Sequence, residues 1–299
     1  NEHLRQGNEV ETREERKNKE TRSQFPLHSL KRSAPIMHRI RSRKTAEEVA
    51  QIQRAIAITG KAFERVSGFV KPGVKEYEIE AEITHEFLRN GSRGHAYTPI
   101  IASGYNACVL HYITNDQVCN DGDVILMDFG CEYGGYASDL TRCVPVNGRF
   151  TKRQKDVYNA VWRVKNEATQ LLRPGTLMAD YHKQVGKIME SELIGLGLID
   201  KNDVAKQDPE RPLYKKYFMH GTSHFLGLDV HDVGLWNEMI QPDMVFTVEP
   251  GIYIREEKLG IRLENNILVT RDNPIDLFKD IPVEADAVEE MMNRKAVMA

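Results

Sequence analysis

Two stretches of this 299-residue chain repeat each other in the same order, and any fold it adopts must accommodate both copies. "FVKPGVKEYEIEAEI", starting at Phe69, has a counterpart in "LLRPGTLMADYHKQV", starting at Leu171: the end of a long helix, a Pro-Gly break, then a second helix. "DVILMDFG" (Asp123 to Gly130) is matched in the same way by "DMVFTVEPG" (Asp243 to Gly251), an acidic start, an apolar strand, then a carboxylate and a nearby glycine. Each strand is followed, beyond a Gly-containing turn, by a further carboxylate, Asp139 in the first half and Glu264 in the second. The order of these matches reads as an internal duplication with carboxylates at corresponding places.

Local signals fill in each half. Thr45 and Glu48 form a capping box ahead of Val49, Ile52, Ile56, Phe63 and Val66 at helical spacing. After Pro72-Gly73, Ile79, Ile83 and Phe87 mark a second helix that Asn90-Gly91 ends. Thr151 and Gln154 repeat the box ahead of Val157, Val161, Val164 and Leu171, Arg173-Pro174-Gly175 stops that helix, and another is expected from about Met178 to Leu193. In "VILMDFGCEYGGYASDLTRCV" two β-rich runs flank Tyr133, Gly134 and Gly135, the pattern of an antiparallel hairpin that would bring Asp128 and Asp139 together on one face.

Asp128 interrupts an apolar strand, where its charge is costly unless it meets a cation. A salt bridge to Arg142 is the plain alternative for that one residue. Glu249 ends another apolar strand, and in "GIRLENNILV" alternation points Arg262 and Glu264 to one side. Three of the chain's 10 histidines, His220, His224 and His231, crowd into "FMHGTSHFLGLDVHD", and one of them could join the four carboxylates. Four carboxylates repel one another in one pocket, and two divalent cations would relieve that repulsion. An oxygen-rich donor set with a single imidazole favours manganese, cobalt or iron over a thiolate zinc site. Two ions about 3.5–4 Å apart would hold a hydroxide and polarise a carbonyl, which is hydrolase chemistry.

Composition narrows the setting. With 40% hydrophobic and 28% charged residues the chain belongs with globular proteins, no apolar run nears the roughly 20 residues of a membrane span, and no secretory signal opens it. A net charge of −3 gives no global pull toward nucleic acid, and the basic run from Lys31 to Lys44 reads as a solvated linker. The first 24 residues are too polar to fold alone, and their glutamates argue against a mitochondrial transit peptide. A start at Asn1 suggests processing or trimming. Cys108, Cys119, Cys131 and Cys143 lack the paired spacing of structural zinc and suggest reduced thiols; a cytoplasmic setting is expected, with a mitochondrial one as the alternative.

"MDFGCEYGGYASDLTR", "HGTSHFLGLDVHDVG", "VFTVEPGIYI" and "GIRLENNILV" together resemble the pita-bread metallopeptidases, and within them the aminopeptidase P (Xaa-Pro aminopeptidase) branch, over about residues 45 to 285. The resemblance implies an α+β fold of two pseudo-twofold α-β halves around a curved antiparallel sheet. It divides the chain into a polar tail over 1–44, where relatives carry a further domain, and a catalytic domain over 45–299. It implies that Asp128, Asp139, His224, Glu249 and Glu264 ligate two metal ions, manganese before cobalt, iron or zinc. His111 and His231 would bind substrate and stabilise the tetrahedral intermediate, with Glu249 managing the proton. His220 and Arg262 would shape the site around the substrate's proline, and Trp236, where relatives often place Tyr, would alter the pocket wall. The implied substrate is a peptide with proline second, the implied assembly a homodimer, and neither nucleic acid nor membrane is an expected partner. An Xaa-Pro dipeptidase is the nearest alternative within the fold. A pita-bread domain that has lost catalysis and serves as a binding module is the alternative of another class, although such domains usually lack ligand positions that are all present here.

Overall fold

The structure, a computed structural model, describes residues 11–294, so residues 1–10 of the expected polar tail lie outside it. Contacts divide the chain into units of residues 1–37 and 38–299. The smaller unit carries helix α1 (Arg13–Gln24), started by a Thr12–Glu15 capping box, and none of its side chains is buried. That agrees with a segment too polar to build a core. Helix α2 (Ala34–Ser42) spans the division, which falls after Met37 and not at the expected residue 44. Residues 38–44 belong with the larger unit for a clear reason. The Lys44 N–H donates to the Asp243 carbonyl at 2.7 Å, and its ammonium lies 3.5 Å from the Asp232 carboxylate with both side chains buried.

In the first half of the larger unit, α3 (Ala46–Phe69) and α4 (Glu76–Arg89) precede β1 (Gly94–His95), β2 (Ile100–Ser103), β3 (Val124–Phe129), β4 (Cys131–Tyr133), β5 (Tyr136–Ala137) and β6 (Leu140–Pro145). The second half repeats this scheme. Helices α5 (Lys152–Leu171), α6 (Met178–Gly195) and a short α7 (Lys201–Val204) precede β7 (Val245–Val248), β8 (Gly251–Ile254), β9 (Leu259–Arg262), β10 (Asn265–Leu268) and β11 (Ile275–Asp276), and α8 (Ala285–Asn293) follows. Both expected capping boxes are formed, Thr45 with Glu48 and Thr151 with Gln154.

The duplication extends to single hydrogen bonds. Gly73 and Gly175, at φ +92° and +88°, occupy matching left-handed positions that suit glycine. The Gly73 N–H donates to the Cys119 carbonyl and the Gly175 N–H to the Ile240 carbonyl, each at 2.9 Å. Strands run in the order β2-β3-β6 in one half and β11-β10-β7 in the other, with antiparallel pairing throughout. Residues 222–226 lie along β7 much as β2 lies along β3, through Glu249 N–H to Thr222 O, Thr247 N–H to His224 O and Leu226 N–H to Val245 O.

Strand alternation then sets the faces. Ile125, Met127 and Phe129 of β3 enter a core with α3 and α4, whereas Val124 and Leu126 enter one with α5 and α6. A strand buried on both sides reads as a continuous apolar run, which is why Asp128 stands out in it. The β3–β6 hairpin forms with Asp128 opposite Thr141 and Met127 opposite Arg142. Its connection requires glycine at residue 130: a Cβ there would lie 1.8 Å from the Ser138 carbonyl oxygen.

Candidate active site

The duplicated strands deliver their carboxylates to one cavity of about 500 Å³. Asp128 sits one residue from the end of β3 and Asp139 immediately before β6; Glu249 immediately follows β7 and Glu264 immediately precedes β10. His224 comes from the segment alongside β7, and all five side chains line the cavity. The Glu264 N–H donates to the Thr141 carbonyl at 3.1 Å, which joins the two halves directly at the site.

Donor atoms of Asp139, His224 and Glu264 all lie within 4.8 Å of one another. The His224 Nε2 is 3.4 Å from Asp139 Oδ2 and 3.6 Å from Glu249 Oε1. Its Nδ1 lies 3.0 Å from the Phe225 carbonyl, an acceptor, so Nδ1 carries a proton and Nε2 is the nitrogen that faces the carboxylates. Burial opposes charging this imidazole, yet Asp139 and Glu249 outweigh it and raise it to about 9. The carboxylates respond in the complementary sense. Burial pushes Glu249 up to about 7 against the opposing pull of His224 and Arg262. Burial and then the repulsion of Asp139, Glu249 and Asp128 push Glu264 well above the carboxylate range, and burial raises Asp128 despite Arg262. The protein's own groups thus leave this pocket short of positive charge.

A divalent ion fits that deficit. Glu264 Oε2 accepts the Thr141 hydroxyl at 2.6 Å, but Glu264 Oε1 is buried with no hydrogen-bond partner among the described residues. A buried carboxylate oxygen left bare beside an imidazole nitrogen and a second carboxylate is the donor set of an oxygen-rich metal position, where an ion would displace the proton from Nε2. Tyr97 adds a related observation. Its single hydroxyl lies 2.7 Å from Asp128 Oδ1 and 2.5 Å from Asp139 Oδ1, and one proton cannot serve two ionised acceptors.

Arg262 organises the outer layer. It donates through Nη2 to Asp128 Oδ2 at 2.5 Å, through Nη1 to the Tyr253 hydroxyl at 3.0 Å and through Nε to Thr141 Oγ1 at 3.2 Å. Having accepted from Arg262, Tyr253 donates to His220 Nε2 at 2.8 Å, and His220 Nδ1–H donates to the Gly221 carbonyl at 2.7 Å. Burial, with Arg262 second, holds His220 down at about 3, so it is a neutral imidazole fixed in one tautomer. His231 stacks edge-on against His224 at 4.4 Å between ring centroids, and burial and His224 lower it. His111 lines the same cavity with Leu110 and Ile113.

Ten of the eleven residue roles read from the sequence therefore fall on residues of one cavity, and Trp236 is the exception. Its ring packs edge-on against Phe225 at 5.1 Å, and Phe225 in turn packs on Phe246, so Trp236 covers the core behind β7 and does not wall the pocket. The Asp128–Arg142 salt bridge is likewise corrected. Arg142 lies opposite Met127, on the other face of the hairpin from Asp128, and spends its donors on the carbonyls of Thr141, Glu264 and Pro282. Sequence reasoning missed Tyr97, Thr141 and Tyr253. Thr141 was accessible from the hairpin register, since it faces Asp128; nothing in "HAYTPI" or "EPGIYI" distinguishes either tyrosine from a core aromatic.

Comparison with known proteins points the same way. The profile of metallopeptidase family M24 matches residues 50–271. The Xaa-Pro aminopeptidase of Escherichia coli strain K12 is 40% identical over 272 residues, covering 86% of this chain and 61% of that protein. A solved structure from Bacillus anthracis named for aminopeptidase P superposes with a TM-score of 0.90 at 37% identity, covering 98% of this chain and 68% of that one. Zinc-substituted Escherichia coli aminopeptidase P in complex with product gives 0.81 at 39% identity, covering 87% and 61%. The chain thus spans about three fifths of the length of the curated relative it matches, 61%.

Proposed function

Because the chain belongs to metallopeptidase family M24 and has its pita-bread fold, we propose that it is a metal-dependent aminopeptidase that removes the first residue from peptides whose second residue is proline. The observation that carries this reading is the bare, buried Glu264 Oε1 beside the Asp139 and His224 donors, in a cavity that Asp128 and Glu249 also line. These five residues would hold two divalent ions, and the oxygen-rich set favours manganese. Ions bound there would supply Lewis-acid activation of water and of the scissile carbonyl.

The chain's own groups account for the remaining work. Glu249, a buried carboxylate 3.6 Å from His224 Nε2 in the cavity, suits a residue that accepts a proton during attack and returns it to the departing proline nitrogen. His231 and His111, both lining the cavity, suit donors to the carbonyl oxygen as it gains charge. Arg262 fixes Asp128 while the Tyr253–His220 chain fixes a neutral imidazole in the cavity lining, so substrate meets groups already oriented. Leu110, Ile113 and Val230 give the cavity apolar walls against which a pyrrolidine ring could lie. A proline nitrogen carries no N–H, so a site that asks for no donor at that position and offers apolar walls can accept it. Four buried, unpaired thiols support a reducing, cytoplasmic setting.

A peptide panel tests the proposal. Manganese-loaded protein is expected to release the first residue from tripeptides and longer peptides with proline second, at least about tenfold faster than from the alanine analogues. Cleavage confined to Xaa-Pro dipeptides would favour the dipeptidase alternative, and cleavage indifferent to the second residue would remove proline specificity from the account.

A further inference from the structure

The rim that carries His111 is residues 104–117 between β2 and β3, a 3-10 turn over Gly104–Cys108 and then loop, and both of its ends converge on a single carboxylate outside the cavity. Glu76, the first residue of α4, is 0% exposed and takes no part in the site described above. Its Oε1 accepts the Ser103 N–H at 2.8 Å and the Asn106 side-chain amide at 3.2 Å, where the loop leaves β2. Its Oε2 accepts the Tyr112 hydroxyl at 2.7 Å and the Gln117 N–H at 3.0 Å, where the loop returns. The Glu76 N–H closes the arrangement by donating to the Gln117 carbonyl at 3.0 Å. One helical turn along, Glu80 accepts from the Asn115 side chain at 2.9 Å, and Asn115 also bonds Ile101 N–H and Pro99 O. Asn115 is held at φ +48°, a left-handed conformation that needs such support.

We propose that Glu76 is a positioning residue: by binding both ends of this loop it holds His111, between Tyr112 and Asn106, at the cavity rim. A buried carboxylate that ties four donors from two chain directions fixes their separation, because releasing any one leaves a buried polar group unpaired. Tyr112 adjoins His111 directly, so the Glu76 contact sets where the imidazole stands while touching neither substrate nor the metal-binding residues. The importance of that placement for turnover rests on the aminopeptidase reading above; the placement itself does not.

The test uses the full chain loaded with manganese. Glu76→Gln keeps size and helix start but sets an amide NH2 against one pair of donors, and Tyr112→Phe removes one contact without touching α4, should the first variant fold poorly. Amide hydrogen exchange at Ser103 and Gln117 is expected to quicken by about tenfold or more in Glu76→Gln, with α3 and β3 unchanged. On a peptide with proline second, kcat/KM is expected to fall about ten- to a hundredfold with the bound manganese unaltered. In a His111→Ala background the same substitution is expected to cost little further, because it acts through that imidazole. Unchanged exchange in both variants would overturn the proposal, as would an equal loss of activity with and without His111. If the unaltered protein cleaves no such peptide, the functional reading fails, and the exchange data alone still decide whether Glu76 holds the loop.

Discussion

Asp139→Asn is expected to lower turnover by about a thousandfold or more, while the metal-free variant melts no lower than the metal-free parent. The two halves of this result have opposite signs and one cause. Asp139 raises Glu264, Glu249 and Asp128 by repulsion, so removing its charge relieves those carboxylates in the metal-free protein and offsets the loss of its contact with His224. Its backbone stays in place, since Asn266 bonds both its N–H at 3.1 Å and its carbonyl at 2.8 Å, and an asparagine oxygen can still accept from Tyr97. What disappears is one anionic donor beside His224 Nε2. Thermal melts with and without manganese, run beside peptide turnover, check both signs. A variant destabilised equally with and without the ion would mean that Asp139 is a packing residue.

Arg262→Met is expected to destabilise the metal-free protein by about 3–5 kcal/mol, because it removes the cation from a buried pair and leaves the carboxylate. Among the described residues Asp128 would then keep only the Tyr97 hydroxyl, and Thr141 and Tyr253 would each lose a donor. Asp128 is already raised by burial with Arg262 opposing, so loss of Arg262 raises it further. A carboxyl whose folded value lies above its unfolded one binds a proton more readily when folded, so its stabilisation is present at acid pH and is lost as pH rises through the folded value. The deficit of the variant is therefore expected to widen from the acid range toward neutral pH and to shrink when manganese is added. Urea unfolding at several pH values, with and without the ion, measures it; a deficit independent of both pH and manganese would contradict the charge argument.

Much of this was legible in sequence because the duplication constrains so many residues at once. The Pro-Gly breaks, capping boxes and glycine-turned hairpin are local devices whose chemistry needs no tertiary partner, and each forms where the residues put it. Carboxylates in apolar strands were conspicuous for the same reason. The parts that were not legible depend on which face a side chain takes. Arg142 and Asp128 look like partners until the register places Met127 opposite Arg142. Trp236 follows "HDVG" closely in sequence, but Gly234 lies so near the Phe225 ring that a Cβ would sit 2.2 Å from it, and the chain then carries Trp236 onto that ring. Arg41 and Lys44 looked like linker charges, yet both pair with Asp232, beside His231, which for Arg41 lies 191 residues away in sequence.

Titrating the metal-free protein with manganese, while counting ions bound per chain and following release of the first residue from a peptide with proline second, tests the central claim most directly. The account predicts no turnover at zero ions and activity that climbs to a plateau as about two are bound. Full turnover after chelation, or a folded protein that binds no ion at all, would contradict it.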